Sequence, residues 1–434
     1  MGWEFSTEPE FQEKLNWIDA FVRDEVEPID LLWGGKAFHP LDDTLRKIVD
    51  PLKQEVHDRG LWACHLGPEL GGQGFGQVKL SLMNEILGRS GWAPIVFGTQ
   101  APDTGNAEII AHYGTDEQKE RYLRPLLDGE IFSCYSMTEP QGGSDPSLFE
   151  TTARRDGDEW VISGWKFFSS NARTSSFLIV MAITNPDTDV YRGMSMFLVP
   201  TDAPGVEIVR NIGLMGEEAG HEGMHALIHY DEVRVPDENL LGGEGQAFAI
   251  AQTRLGGGRV HHAMRTVGMA QRALDMLCER AVSRRTRDGV LADKQSVRDY
   301  VADSYIELTQ FRLYVLYVAW TIDQAGDYRA VRHDIAAIKV LTPQVLHNAA
   351  QRAIQVHGAL GVSNEMPLGA MWMAAPIMGL VDGPTEVHRS TVGRQVLKRY
   401  QPVGGLWPTQ HTPTRVAAAR EKFAQYLEHE VGNL

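Results

Sequence analysis

Apolar residues recur every three or four positions near the start of the chain, at Phe11, Leu15, Ile18, Val22 and Val26. That spacing is one buried face of a helix, and DEQKERYLRPLL repeats it, so residues 1–130 are expected to be helical. From about 131 to 240 the pattern changes to short runs of β-branched and aromatic residues. DEWVISG, SSFLIVMAIT, GMSMFLVP and MHALIHYDEVRVP read as strands, with the Asp156-Gly157 turn between two of them. PDENLLGGEG closes this all-β block as a loop. Beyond 241 helical periodicity returns, in Val260, Met264, Val267, Ala270, Leu274 and Leu277, and in Val297, Val301, Ser304, Leu308, Phe311, Val315 and Val318. These are the seams of helices packed side by side. Ile335, Ile338, Leu341, Val345 and Ala349 make a third face, which Pro343 is expected to kink or restart. The glycine-rich LGPELGGQGFGQ has no strand leading into it and reads as a loop, not a dinucleotide fingerprint.

The predicted class is α+β and multidomain: an N-terminal α-helical domain (1–130), a middle antiparallel β-domain (131–240) and a C-terminal four-helix bundle with a tail (241–434). A chain of 434 residues exceeds one ordinary domain, which agrees. Lys and Arg number 41 against 57 Asp and Glu, a formal net charge of −16. Such a balance disfavours nucleic acid or an anionic membrane as the main partner, while leaving room for a local basic pocket. Cys64, Cys134 and Cys278 are few and widely spaced, arguing for a reducing compartment and against a disulfide framework or cysteine metal site. No metal site is expected. The acidic start carries no leader-like pattern, no apolar run reaches membrane-spanning length, and a cytoplasmic location is expected. MGWEFS fits the myristoylation pattern formally, and so short a match carries little weight.

Three segments carry candidate chemistry. In LVDGPTEVHRS (380–390) an apolar run ends on Asp382, directly before Gly383 and Pro384. Asp-Gly-Pro is ordinary turn chemistry, with Thr385 able to cap a following helix. A carboxylate at the lip of an apolar pocket is also a good proton-abstracting base. FSCYSMTEPQGGSD (132–145) offers hydroxyls and glycines that let backbone amides approach a ligand, yet alone it is equally a turn. GWKFFSSNA (164–172) alone is a strand end.

Taken together, these segments resemble the acyl-CoA dehydrogenase family. Its flavin-binding pattern appears from Tyr135 to Asp145, its aromatic-x-Ser/Thr-Asn element as Phe168-Ser169-Ser170-Asn171, and its Arg-x-Thr as Arg284-Arg285-Thr286. Gln295 and QVHGALG (355–361) follow in the family's order, and the resemblance runs from about residue 8 to 400. APDTGNAE, YGTDEQKE, LGGGRVHHAMR and VDGPTEVH are most similar to the acyl-CoA dehydrogenase domains of the animal family members ten and eleven. The resemblance implies FAD, acyl-CoA as substrate, an electron-transfer flavoprotein as partner, and a homodimer or homotetramer. Tyr135, Met137 and Thr138 would approach the flavin ring, with Phe168, Ser169 and Ser170 at its other edge. Ser144 would lie where pyrophosphate and CoA converge. Arg284, Thr286 and Gln295, with Gln355, Val356, His357, Gly358 and Ala359, would hold the adenine-diphosphate half, partly across a subunit boundary. Thr385 and Glu386 would also line the cofactor, and Arg259 and Gly383 the substrate.

The family's base is commonly Glu, at the position held here by Asp382. Some relatives place it just before the family arginine on the first bundle helix, which here is Gly258 and cannot serve. Asp is shorter than Glu by one methylene, about 1 Å of reach, and a misplacement of that size costs about a hundredfold in rate. Met378, Leu380 and Val381 are expected to raise its pKa if they lie against it. Glu386 is a rival base with a helix-surface role as the alternative, and His388 reads as a structural residue. A flavin oxidase of the same fold, similar to nitroalkane oxidase with its Asp base, and a non-catalytic scaffold are the competing expectations.

Overall fold

Phe11, Leu15, Ile18, Val22 and Val26 are all buried, on helix α1 (Pro9–Phe21) and the π-helical turn that extends it (Val22–Val26). The computed structural model describes residues 7–37, 41–68, 72–216 and 224–431. MGWEFS therefore lies outside the described residues, as do Glu69, Leu70 and Gly71 of the glycine-rich segment. The longer N-terminal helices continue with α2 (Asp43–Asp58), α3 (Gly76–Leu87) and α4 (Asp103–Tyr113). Asp42 caps α2, its carboxylate accepting from the Thr44 and Leu45 amides at 3.0 and 2.9 Å.

The middle block is one seven-stranded sheet: β1 (Ser133–Ser136), β2 (Thr152–Asp156), β3 (Glu159–Ser170), β4 (Phe177–Ile183), β5 (Met194–Pro200), β6 (Val206–Ile212) and β7 (His225–Pro236). It is mixed, correcting the antiparallel expectation: β4 pairs in parallel with β1 and, at one position, with β2. Its buried run Phe177–Ala182 is apolar on both sides, as a doubly covered central strand must be. β1, β2 and β6 escaped the sequence pattern: β1 is only four residues long, β2 is charged at three of five positions, and β6 is largely solvent-facing with one buried residue. β3 and β7 lose register between Lys166 and Ser169, where Phe168 takes a positive φ of 55°. This irregularity turns the Phe168 ring outward, leaving the residue 41% exposed at the strand end.

The last block holds α5 (Ala247–Ser283), α6 (Gln295–Ala325), α7 (Arg332–His357) and α8 (Leu368–Met378). Pro343 lies inside α7, which runs through it without a break, so of the two expected outcomes, a kink or a restart, the restart does not occur. Neighbouring helices hold the segment through buried Ile338, Val345 and Leu346, so packing outweighs the missing hydrogen bond. The apolar faces of α1 and α3 share one core with those of α5, α6 and α7. Close approach of α3 and α5 needs glycine: a Cβ at Gly268 would stand 1.9 Å from the Glu85 carbonyl oxygen. After α8, helix α9 (Thr385–Leu397) follows a turn. Residues 1–389 form one compact unit, and 390–434 a second, small one that holds α10 (Thr412–Lys422) and α11 (Ala424–Val431).

Candidate active site

The turn between α8 and α9 is both a chain reversal and a carboxylate mount. The Leu380 and Val381 amides close it on the Ile377 carbonyl at 3.0 Å, and the Thr385 amide bonds the Gly379 carbonyl at 2.9 Å. Asp382 sits at φ 55°, in the left-handed region that Asp tolerates better than most residues, and Gly383 at φ 104°. The Asp382 carbonyl accepts from Arg259 Nε at 2.9 Å and from His388 Nε2 at 3.3 Å. A carbonyl cannot donate, so His388 carries its proton on Nε2. Burial pushes this imidazole down to about 4, which keeps it neutral and supports its reading as a structural residue.

This bracing aims the Asp382 side chain, 12% exposed, into the middle of α5. Its Oδ2 lies 3.5 Å from His262 Nε2, and its Oδ1 3.9 Å from an Arg254 Nη. A Cβ on Gly258 would stand only 2.8 Å from Oδ2. The carboxylate thus occupies space that any other residue at 258 would contest, and the loop delivers it to the flank of α5.

Burial works against the charge of Asp382, but facing positive groups outweigh it and hold its pKa below the ordinary carboxylate value. His262 faces it most directly, yet burial pushes that imidazole down to about 3, so near neutrality it is uncharged. The charge then comes from Arg254, Arg259 and, on α7, Lys339, whose buried ammonium is pushed down to about 8 and donates to the Met378 carbonyl. Burial does raise this pKa, the effect expected if Met378, Leu380 and Val381 lay against the carboxylate, but the facing groups together outweigh it. Leu380 is 68% exposed and contributes little to that burial, and the summed positive groups decide the direction.

Arg254 connects this loop to the sheet. Its guanidinium carbon lies 3.8 Å over the Tyr135 ring, and its Nε donates to Asn106 Oδ1 at 2.8 Å. Asn106 in turn donates to Ser133 Oγ at 2.8 Å, and Ser133 donates through Oγ and its amide to Asp103 at 2.6 and 2.8 Å. Tyr135 pairs with Ser170 across β1 and β3, and the Phe167 amide bonds the Thr138 carbonyl at 2.8 Å, so Tyr135, Thr138, Phe168 and Ser170 share one end of the sheet. Met137 accepts from the Tyr135 hydroxyl at 3.6 Å. Below that end, Lys166 and Glu139 form a fully buried ion pair at 2.8 Å, with Glu139 also accepting from the Glu150 and Thr151 amides. Glu139 of the Thr-Glu-Pro element is thus an internal brace for the loop above it. The Ser169 side chain is also internal, bonded to Ser136 Oγ at 3.0 Å, and does not reach the open face.

The remaining predicted residues lie elsewhere. Ser144 is exposed after the tight turn that Glu139 and Gly142 close. Arg284 and Thr286 lie on the turn between α5 and α6, where a two-residue hairpin of β8 (Arg285–Thr286) and β9 (Gly289–Val290) forms, and Gln295 opens α6. Gln355, Gly358 and Ala359 are exposed at the C-terminal end of α7, with Val356 and His357 buried beneath. Thr385 donates to the Gly379 carbonyl, and Glu386 is exposed on α9. The set fits a flavin dinucleotide in two respects. An open aromatic and hydroxyl-bearing face suits a planar ring, and exposed Arg284 stands beside Thr286, whose buried Oγ1 has no partner. Among the described residues, no group of three or more His, Cys, Asp or Glu is placed to hold a metal, and no helix is long and apolar enough to cross a membrane.

Sequence reading missed Arg254, His262 and Lys339. Their signal was present: Arg254, Gly258, His261, His262 and Arg265 recur at helical spacing within an otherwise apolar face, and Lys339 interrupts the run IAAIKVL. Basic residues on a buried face ask for a buried anion.

Comparison with known proteins bears on the same segments. Models of the acyl-CoA dehydrogenase N-terminal, middle and C-terminal domains match residues 8–130, 134–226 and 245–397. The chain is 44% identical over 371 residues to Probable acyl-CoA dehydrogenase FadE2 of Mycobacterium tuberculosis, covering 84% of this chain and 89% of that one. It is 40% identical over 405 residues to acyl-CoA dehydrogenase family member 11 of Mus musculus, covering 89% of this chain but only 50% of that longer protein. A solved structure from Mycobacterium abscessus superposes with a TM-score of 0.83 at 37% identity, covering 91% of this chain and 100% of its own.

Proposed function

The chain belongs to the acyl-CoA dehydrogenase family, and from that premise we propose that it oxidises an acyl-CoA thioester to the trans-2-enoyl-CoA with the aid of FAD. The observation that carries this reading is the junction of the Asp382 carboxylate and the Tyr135 face through Arg254. A base and a ring-binding face that share one guanidinium are close enough to act on adjacent carbons of one substrate.

In this reading Asp382 removes the α-proton. The thioester α-carbon is a weak acid, so the base must be positioned and ionised before substrate arrives. Arg254, Arg259 and Lys339 favour the ionised form, and the Arg259 and His388 bonds to the Asp382 carbonyl fix the loop that carries it. The same positive surroundings favour the negative charge that develops on the substrate as the proton leaves. The Asp382 amide is the proposed donor to the thioester oxygen. Tyr135, Met137, Thr138, Phe168 and Ser170 would hold the flavin ring, and Arg284, Thr286 and Gln295 the diphosphate half. Bound FAD supplies the acceptor for hydride from the β-carbon. We further assign an electron-transfer flavoprotein as the onward acceptor, a homo-oligomeric assembly, and a place in fatty-acid β-oxidation within the cytoplasm.

The test is anaerobic mixing of the flavin-loaded protein with a panel of acyl-CoA thioesters that differ in chain length, branching and hydroxylation, 4-hydroxyacyl-CoA included. Bleaching of the flavin by at least one thioester, with slow reoxidation of the product complex in air, is expected. Rapid peroxide formation from nitroalkanes with no bleaching by any thioester would instead establish the oxidase reading. A protein that cannot be loaded with FAD would establish the scaffold.

A further inference from the structure

Arg254 lies outside the motifs quoted for the resemblance, yet it touches an N-terminal helix, the sheet end and the Asp382 loop. It lies one helical turn before Gly258 on α5, with a side chain only 10% exposed. Asn106 on α4 takes its Nε at 2.8 Å, the Tyr135 ring on β1 lies 3.8 Å from its guanidinium carbon, and Asp382 stands 3.9 Å from one Nη. A planar guanidinium fixed by a ring on its face and an amide at its Nε has little freedom left. Its position relative to Asp382 is therefore set by the N-terminal helices and the sheet, not by α5 alone. Gly105 makes room for it, since a Cβ there would stand 2.9 Å from Arg254 Cγ.

We propose that Arg254 is a positioning residue for Asp382: anchored on Asn106 and Tyr135, it holds the short carboxylate ionised and directed at the recess. The role rests on the reading of Asp382 as the base, and it explains how a side chain one methylene shorter than Glu is kept in register. A carboxylate packed against a glycine has no side-chain wall at 258 to orient it, and Arg254 supplies a charged one.

The other charged and titratable groups around Asp382 are Arg259, His262 and Arg265 on α5, Lys339 on α7, His388 on α9 and Tyr135 on β1. Arg259 binds the Asp382 carbonyl and His262 is neutral, so neither duplicates a cation held against the carboxylate oxygens. Lys339 is committed to the Met378 carbonyl. Removing Arg254 should leave Asp382 easier to protonate.

The experiment labels aspartate carboxyl carbons with ¹³C and follows Asp382 by NMR titration in the flavin-loaded protein without substrate, with Asp382→Asn identifying the signal. Arg254→Met is expected to raise the titration midpoint by about one unit, a tenfold change in proton affinity, and Arg254→Lys to return most of that shift. Anaerobic flavin reduction should fall about a hundredfold in Arg254→Met at pH 7, with partial recovery in Arg254→Lys, because the charge returns without the Nε bond. Asn106→Ala keeps the guanidinium but frees it, and should slow reduction about tenfold with a smaller rise in the midpoint. It also decides the matter if Arg254→Met does not fold. An unmoved Asp382 midpoint in folded Arg254→Met, or an unchanged midpoint and rate in Asn106→Ala, would overturn the proposal and leave Arg254 a packing residue. The titration needs no acyl-CoA turnover, so the two failures are distinguishable: a wild-type protein that oxidises no thioester refutes the functional reading, whereas an unmoved midpoint in a protein that does oxidise them refutes only this one.

Discussion

Asp382, the proposed base, pairs a left-handed backbone with a side chain turned onto a glycine of another helix. Asp382→Asn keeps the size of the side chain and the backbone amide but cannot accept a proton. We expect it to load FAD and bind acyl-CoA while slowing flavin reduction by about 10²–10⁴-fold, or roughly 3–5 kcal/mol of barrier, read by anaerobic stopped flow. It should also melt at a lower temperature, because Arg254, Arg259 and Lys339 lose their buried counter-charge. Exposed Glu386 serves as the control: Glu386→Gln should change little. Should Glu386→Gln abolish reduction while Asp382→Asn reduces normally, the base would be Glu386 and Asp-Gly-Pro only a turn. The assignment of Asp382 was available from the resemblance, but the ionising cations were not. They come from α5 and α7, about 80 residues apart in sequence, and periodicity says nothing about which helices meet.

At the scale of elements, α4 and the glycines of α5 hold a second buried carboxyl. A Cβ on Gly257 would stand 2.7 Å from Glu108 Oε2, so glycine at this position gives the side chain its room. Glu108 is pushed up to about 8 by burial, which outweighs its bond to Tyr328 and the nearby Arg254. The folded chain therefore holds this proton where the unfolded chain, with an ordinary Glu, has lost it. Between about pH 4.5 and 8 the folded state binds more protons, so this group's contribution to stability falls as pH rises through that window. By pH 7 the loss is about 3 kcal/mol. Glu108→Gln mimics the protonated acid. Its melting temperature should match the parent near pH 4.5 and exceed it progressively towards pH 8, measured by calorimetry across that range. A constant offset would mean that Glu108 does not titrate there.

At the scale of the whole molecule, the candidate cofactor residues fall into two groups. One is the sheet end with Tyr135, Thr138, Phe168 and Ser170. The other lies on exposed helix ends, at Arg284, Thr286 and Gln295 and at Gln355, Gly358 and Ala359. If these mostly exposed polar residues hold the proposed dinucleotide, they suit a site completed by a second copy. Arg284→Ala is accordingly expected to lose FAD and weaken the oligomer together. Loss of a charge-assisted diphosphate partner costs about 2 kcal/mol, roughly thirtyfold in affinity. Light scattering and the flavin-to-protein absorbance ratio read both effects, and a fully flavin-loaded mutant with the parent's mass would make Arg284 a surface charge only.

The order of helical, β and helical blocks was legible in the chain, because hydrophobic period depends on local geometry alone: 3.6 residues for a buried helix face and 2 for a strand. The helix faces led by Phe11, Val260 and Val297 are buried as their spacing requires. Motif order likewise pointed to the family and to Asp382. Pairing is not local, so the parallel β1–β4 contact in an otherwise largely antiparallel sheet needed the tertiary structure. Of the kink or restart expected at Pro343, the restart failed for the same reason, since packing from other helices decides whether a proline ends one. The net sign of the shift at Asp382 also needed the tertiary structure. Its immediate neighbours are apolar and argue for a raised pKa, whereas Arg254, Arg259 and Lys339 reach it only after the chain has folded. Electrostatic interaction depends on distance in space, and a sequence records only distance along the chain.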